Sequence, residues 1–328
     1  MNSLWISWHK SQRSRSLAKE FDIPIFEYVN ETNLFIRHFF SSLWTIYFLV
    51  KKRPLIIFLQ YSFMLLFVVF LYKNIRRKHV QVICDCHTKA IRRKLTNIFS
   101  NLFFIFKKIS FKATDICIIS NHELIHDINQ FSNNYFIVPD PIPNLKYSIS
   151  SSKTATSYCV YVNSYAVDEP YNEVIEASEK IYGKIKIICT GRIPIELRFL
   201  KQQPYKNIYF TDYIQDCEYN NLIANAECIL ALSMEDSTLL CAGYEALSVN
   251  TPLITSDTKA LREYFGESVL FTKTTSDDIA KCIMTSLKKS KRIKDKMQIL
   301  KRLKEHDQKL ILAKLLKKIK FPGASPLA

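Results

Sequence analysis

Glycine is scarce in this chain: the 328 residues hold only five, at positions 183, 191, 243, 266 and 323. No G-x-G-x-x-G turn and no Walker A loop can be assembled from them, so the Gly-rich motifs for dinucleotides and for P-loop ATP are absent. The nine cysteines include no C-x-x-C pair. No secretory apolar core precedes them, because His9 and Lys10 interrupt the N-terminus early, and they read as reduced thiols in a cytoplasmic protein. Cys84, Cys86 and His87 fall short of a zinc site, which needs a fourth ligand and wider spacing, and read as buried strand thiols. No Asp-x-Asp cluster occurs, so no divalent metal and no other cofactor is required.

What is present describes a globular chain, with 48% hydrophobic and 23% charged residues and a net charge of +16. At this length two domains are expected. The charge is unevenly distributed: residues 1–150 and 291–328 are basic, and residues 151–290 are mildly acidic. The sign changes at the polar run Ser148 to Thr156, which places a first domain over 1–150 and a second over 151–290. A basic amphipathic helix over 291–320 and a disordered end at 321–328 complete the division. Despite the excess of cations, no helix-turn-helix, zinc or RNP pattern appears, and nucleic acid is not the expected partner.

Residues 54–72, PLIIFLQYSFMLLFVVFLY, meet the length rule for a membrane span. Pro54, Gln60 and Ser62 instead divide the run into a buried strand Leu55 to Leu59 and a helix from about Phe63 to Asn74, which is the preferred reading. Apolar stretches at 39–50 and 95–106 alternate with basic clusters, as in a domain resting on an anionic membrane surface. In the C-terminal stretch 286–320, Ile293, Met297, Leu300, Leu303, Leu310 and Leu315 form a stripe among lysines. Partial packing on the first domain together with membrane contact is expected of it.

Short apolar runs alternate with helical ones along the whole chain, six strands in each half. Two successive β-α series predict an α/β protein of two doubly wound parallel sheets, with ligands at the carboxyl ends of the strands and a cleft between the domains.

The segment 226–266, AECILALSMEDSTLLCAGYEALSVNTPLITSDTKALREYFG, resembles the donor-binding segment of family 4 glycosyltransferases with the GT-B fold. TGRIP (190–194), NIYFTDYI (207–214) and EYNNLIANAE (218–227) follow that family's order and spacing. WISWHKSQRSRSLAKEF, PLIIFLQYS and VICDCHT resemble a subgroup that assembles polysaccharides, O-antigen and capsule among them. In physical terms the strand Cys228–Leu232 leads through Ser233–Thr238 into a helix from about Leu239, whose N-terminus would cradle a diphosphate, with Ser237 and Thr238 adding hydroxyl donors. The resemblance implies that Glu245 accepts hydrogen bonds from the ribose of a UDP or GDP sugar. It also implies that Gly191 and Tyr213 belong to the donor side, and that His87 sits against the transferred sugar. Arg192 is the candidate for balancing the diphosphate charge, because Ser164, Tyr165, Asp168 and Glu169 stand where relatives carry Arg and Lys. The first glutamate of the family's pair is also replaced, by Ser237, with Glu235 and Asp236 the nearest acids. Trp8, His9, Arg13 and Gln60 follow strands of the first domain and are candidates for the acceptor side.

The resemblance thus implies a hexosyltransferase that retains anomeric configuration, acting in cell-surface polysaccharide or lipopolysaccharide biosynthesis. It would move sugar from a nucleotide-diphosphate donor to a polyprenyl-diphosphate-linked glycan, attached peripherally to the inner face of the cell membrane. The alternative is a catalytically idle glycosyltransferase-like partner at the membrane.

Overall fold

A computed structural model of the chain describes residues 2–29, 33–76, 80–86, 100–149 and 157–319. It separates into two units, Met1–Pro141 with Asp307–Ala328, and Ile142–His306. The division falls within the stretch Pro139-Asp140-Pro141-Ile142-Pro143, ahead of the polar run that marks the change of charge. Prolines fix φ and remove donors, so no strand or helix runs through this stretch. Residues 142–149 then belong to the second unit: Ile142 and Leu145 pack in its core, and Ser148 N–H donates to Asn221 Oδ1 at 2.7 Å. Charge counting cannot register that packing.

The first unit is a parallel six-stranded sheet of order β2-β1-β3-β4-β5-β6. Its strands are β1 (Ser3–Ser7), β2 (Ile25–Glu27), β3 (Ile56–Gln60), β4 (Gln81–Asp85), β5 (Ile116–Ile119) and β6 (Tyr135–Ile137). Its helices are α1 (Gln12–Glu20), α2 (Leu34–Lys52), α3 (Phe63–Ile75), α4 (Ser100–Phe111) and the short α5 (Ile125–Asn129). The strands are short apolar runs because a parallel sheet is covered on both faces. Leu4, Ile6, Ile57, Leu59 and Val82 point to one face, where α2, α3 and α4 pack. Trp5, Ile56, Phe58 and Ile83 point to the other, against Leu17 of α1 and Leu312, Leu315 and Ile319 at the end of the chain. The run at 54–72 is therefore β3, a turn and α3. Among the described residues no helix is long and apolar enough to cross a membrane.

The second unit has the sheet order β12-β11-β10-β7-β8-β9, also parallel throughout. It contains β7 (Tyr158–Val162), α6 (Tyr171–Lys180), β8 (Lys186–Thr190), β9 (Ile208–Asp212), α7 (Asp216–Ala224), β10 (Cys228–Ala231), α8 (Cys241–Val249), β11 (Leu253–Ser256), α9 (Lys259–Phe265) and β12 (Leu270–Thr272). The final helix, α10 (Ser276–Lys318), begins well before residue 291 and is broken at Lys289, whose φ of −114° and ψ of 15° lie outside helical values. Its Ile293 and Met297 are buried in the second core. Its last turns are buried in the first.

Candidate functional site

In the second sheet the strand order turns about between β7 and β10, and the carboxyl ends of these two strands open the crevice where doubly wound sheets bind ligands. The loops there are tied together. Ser233 Oγ donates to Asp168 Oδ2 at 2.7 Å, Met234 N–H donates to the Asp168 carbonyl at 2.7 Å, and Ser233 N–H donates to Ser256 Oγ at 2.9 Å. Asp168 and Ser256 thereby hold the β10–α8 loop in place.

That loop carries the expected donor residues. Ser237 is buried and its hydroxyl donates to Glu235 Oε1 at 3.2 Å. The Thr238 hydroxyl is buried and has no hydrogen-bond partner. The helix itself starts later than Leu239: its N-cap is Leu240, which supplies no side-chain cap, and its first turn has no acid. Leu239 belongs to the loop and packs partly buried against the second core. An uncapped helix start with a positive dipole end favours an anion.

Glu245 lies in the middle of α8 and accepts a hydrogen bond on Oε2 from the Tyr219 hydroxyl of α7. Burial raises its pKa, with Asp216 adding to the rise and Tyr219 opposing it. Sequence reasoning missed Tyr219. No local pattern announces a contact between α7 and α8 across 26 residues.

At the end of β8, Gly191 has φ of +112°, and a Cβ built there would lie 1.9 Å from the Asn163 carbonyl oxygen. The residue is glycine because the turn passes against the end of β7. Arg192, next in sequence, is exposed and stacks its guanidinium 5.3 Å from the ring centre of Tyr213, itself exposed after β9. Asp212 anchors both neighbours by accepting from Ile193 N–H at 3.1 Å and Tyr213 N–H at 2.9 Å. The pair therefore presents a cation and an aromatic face side by side at the carboxyl end of the sheet.

In the first unit the order turns about between β1 and β3, and there the Ser7 hydroxyl bonds to Gln60 Oε1. His9 reaches the surface beside this pair, with its pKa lowered by partial burial and by Arg37. Two residues expected on the acceptor side are committed elsewhere. Trp8 is buried, and its indole N–H donates to Thr45 Oγ1 at 3.0 Å. Arg13 is buried between Asp85, with Nε to Oδ1 at 3.0 Å, Asp140, and the Val138 carbonyl, with Nη2 to O at 2.8 Å. Burial alone would lower its pKa, but the two carboxylates raise it. Trp8 is thus held by α2, and Arg13 by β4 and the segment after β6. His87 lies outside the described residues, as do the greater part of the polar run 148–156 and the end at 321–328.

No family model matches the chain, and no curated protein matches it in sequence. Solved structures do resemble it in fold. Anabaena Alr3699/HepE in complex with UDP and glucose aligns with a TM-score of 0.72 at 12% identity, covering 98% of this chain and 100% of that one. The lipopolysaccharide outer core galactosyltransferase WaaB aligns with 0.60 at 10% identity, over 96% and 100% of the two chains. A putative UDP-N-acetylglucosamine 2-epimerase from Listeria monocytogenes aligns with 0.60 at 11% identity, over 99% and 91%. Two six-stranded parallel sheets with flanking helices and a long C-terminal helix make this a GT-B fold.

Proposed function

We propose that the chain is a retaining glycosyltransferase that takes a sugar from a nucleotide-diphosphate donor. The observation that carries this reading is the β10–α8 segment. An uncapped helix start and the half-buried Glu245 carboxylate follow one another along the same strand-loop-helix unit, beside the turnabout of a doubly wound sheet. A diphosphate sits at the helix start, and the ribose hydroxyls donate to Glu245 Oε1 while Tyr219 holds Oε2. UDP is the favoured nucleotide, since the solved structures of similar fold include complexes with UDP.

Arg192, stacked on Tyr213, balances the charge of the departing diphosphate, and His87 keeps the sugar-contacting role that the family resemblance implies. Gln60 and His9 take the acceptor side. The acceptor is a polyprenyl-diphosphate-linked glycan at the inner face of the cell membrane, in cell-surface polysaccharide assembly. Trp8 and Arg13 hold the surrounding loops rather than touch the acceptor.

The test is product analysis. The protein is incubated with UDP and GDP sugars and a polyprenyl-diphosphate-linked glycan in vesicles, and products are read by mass spectrometry and anomeric NMR. Transfer with retained configuration, lost in Arg192→Ala, is expected. Release of an epimerised sugar without acceptor would make the chain an epimerase, and no turnover from folded protein that still binds UDP would make it an idle partner.

A further inference from the structure

The helix α2 is apolar on its exposed side as well as on the buried side, where Phe48 and Leu49 enter the core. Its buried side includes Ser41 and Thr45, both with no exposed surface, while Phe39, Phe40, Leu43, Ile46, Tyr47 and Val50 recur at helical spacing on the exposed side. Phe39 and Tyr47 are each 61% exposed. Isolated exposed apolar residues are ordinary, but a continuous stripe of this kind marks an interaction surface. The neighbouring helices extend it: α3 packs against both α2 and α4, and adds Leu71 and Ile75, while α4 adds Ile105 and Phe106.

Charge identifies the occupant. No Asp or Glu occurs in residues 34–53, 63–76 or 100–112, whereas Arg37, Lys51, Lys52, Arg53, Lys108 and Lys112 border the apolar surface. Two of these cations sit over exposed aromatic rings, Lys51 Nζ at 5.4 Å from the centre of Tyr47 and Lys108 Nζ at 5.1 Å from that of Phe104. Asp115, beside Phe70 and Lys112, is paired with Lys73, and the border is otherwise cationic. An apolar stripe with aromatic residues and a net cationic border is the composition that settles into the headgroup region of an anionic bilayer. A second copy of this chain would bring cations against cations.

The basic helix α10 competes for the same role on sequence grounds, but its apolar residues are already engaged. Leu312, Leu315 and Ile319 cover the face of the first sheet opposite to the one carrying α2, α3 and α4, and Ile293 and Met297 are buried in the second core. What remains exposed, Ile299, Leu303 and Leu310, lies on one face of the helix but holds no aromatic residue and is interrupted by the exposed Glu305, His306 and Asp307.

We propose that the α2–α3–α4 face, and not the basic C-terminal helix, is the surface on which the protein lies against an anionic membrane. The proposal rests on the membrane-attached reading above and names the surface that performs it. Flotation with phosphatidylcholine vesicles, with and without phosphatidylglycerol, tests it on the 328-residue chain. Three proteins are compared, each checked for fold by circular dichroism: wild type, Phe39→Ser/Tyr47→Ser and Leu303→Ser/Leu310→Ser. Wild type is expected to float with the phosphatidylglycerol vesicles. The α2 variant should partition roughly ten-fold less, and the α10 variant should behave as wild type. Loss confined to the α10 variant would overturn the assignment of the face while leaving membrane attachment intact. No flotation of wild type would overturn attachment itself. A wild-type dimer in solution that the α2 variant disperses would show that the face serves a second copy instead.

Discussion

Glu245 holds its carboxyl group in surroundings that work against its charge. Burial and Asp216 raise its pKa, so the folded chain takes up a proton in the window between the ordinary glutamate value and the raised one. The stability contributed by that proton is fully present below the window and is lost as pH rises through it. The proposed ribose recognition has the opposite sign, because two hydroxyl donors need the ionised form. UDP affinity of the wild type is therefore expected to fall as pH is lowered through the window, whereas Glu245→Gln should bind roughly ten-fold more weakly at neutral pH and show no such fall. The same variant, without ligand, should melt no lower than wild type at neutral pH. Thermal melts and titrations across pH check both signs. Gly191 makes a separate case: alanine there meets both a φ of +112° and the Asn163 carbonyl, and urea unfolding of Gly191→Ala should show a loss of about 2–4 kcal/mol.

At the scale of elements, the strands were legible because parallel strands buried on both faces are short apolar runs with polar ends. The stretch 54–72 shows this: Gln60 and Ser62 separate β3 from α3 as the residue types require. The start of α8 was less legible. Ser237 and Thr238 read as hydroxyl donors beside a helix from about Leu239, yet the Ser237 hydroxyl turns back to Glu235 and the helix begins after Leu240 without a side-chain cap. Trp8 and Arg13 were illegible, since their partners Thr45 and Asp85 lie 37 and 72 residues away and only the folded sheet brings them together. The Arg13 clamp joins α1 to β4 and to the segment after β6. Asp85→Asn leaves the buried guanidinium under-compensated and should cost about 3–5 kcal/mol, as measured by denaturant unfolding. The closing turns of α10 are equally structural: Leu315 is fully buried on the first sheet, and Leu315→Ala should cost about 2–5 kcal/mol.

For the whole molecule, the net charge of +16 is compatible with two very different roles for its cations. Some border an exposed apolar face in the first unit, and others lie along a helix whose apolar residues are already packed. The second unit, mildly acidic over most of its length, instead carries the segment assigned to the donor. A molecule built this way is expected to bind nucleotide through the second unit whether or not a membrane is present. The most direct test is isothermal titration of UDP, GDP and CMP into detergent-free wild type and Glu245→Gln. The account predicts saturable binding of UDP to wild type, about ten-fold or more weaker in the variant. Equal affinity in the two proteins, or no binding to folded wild type, would contradict a donor site built around Glu245.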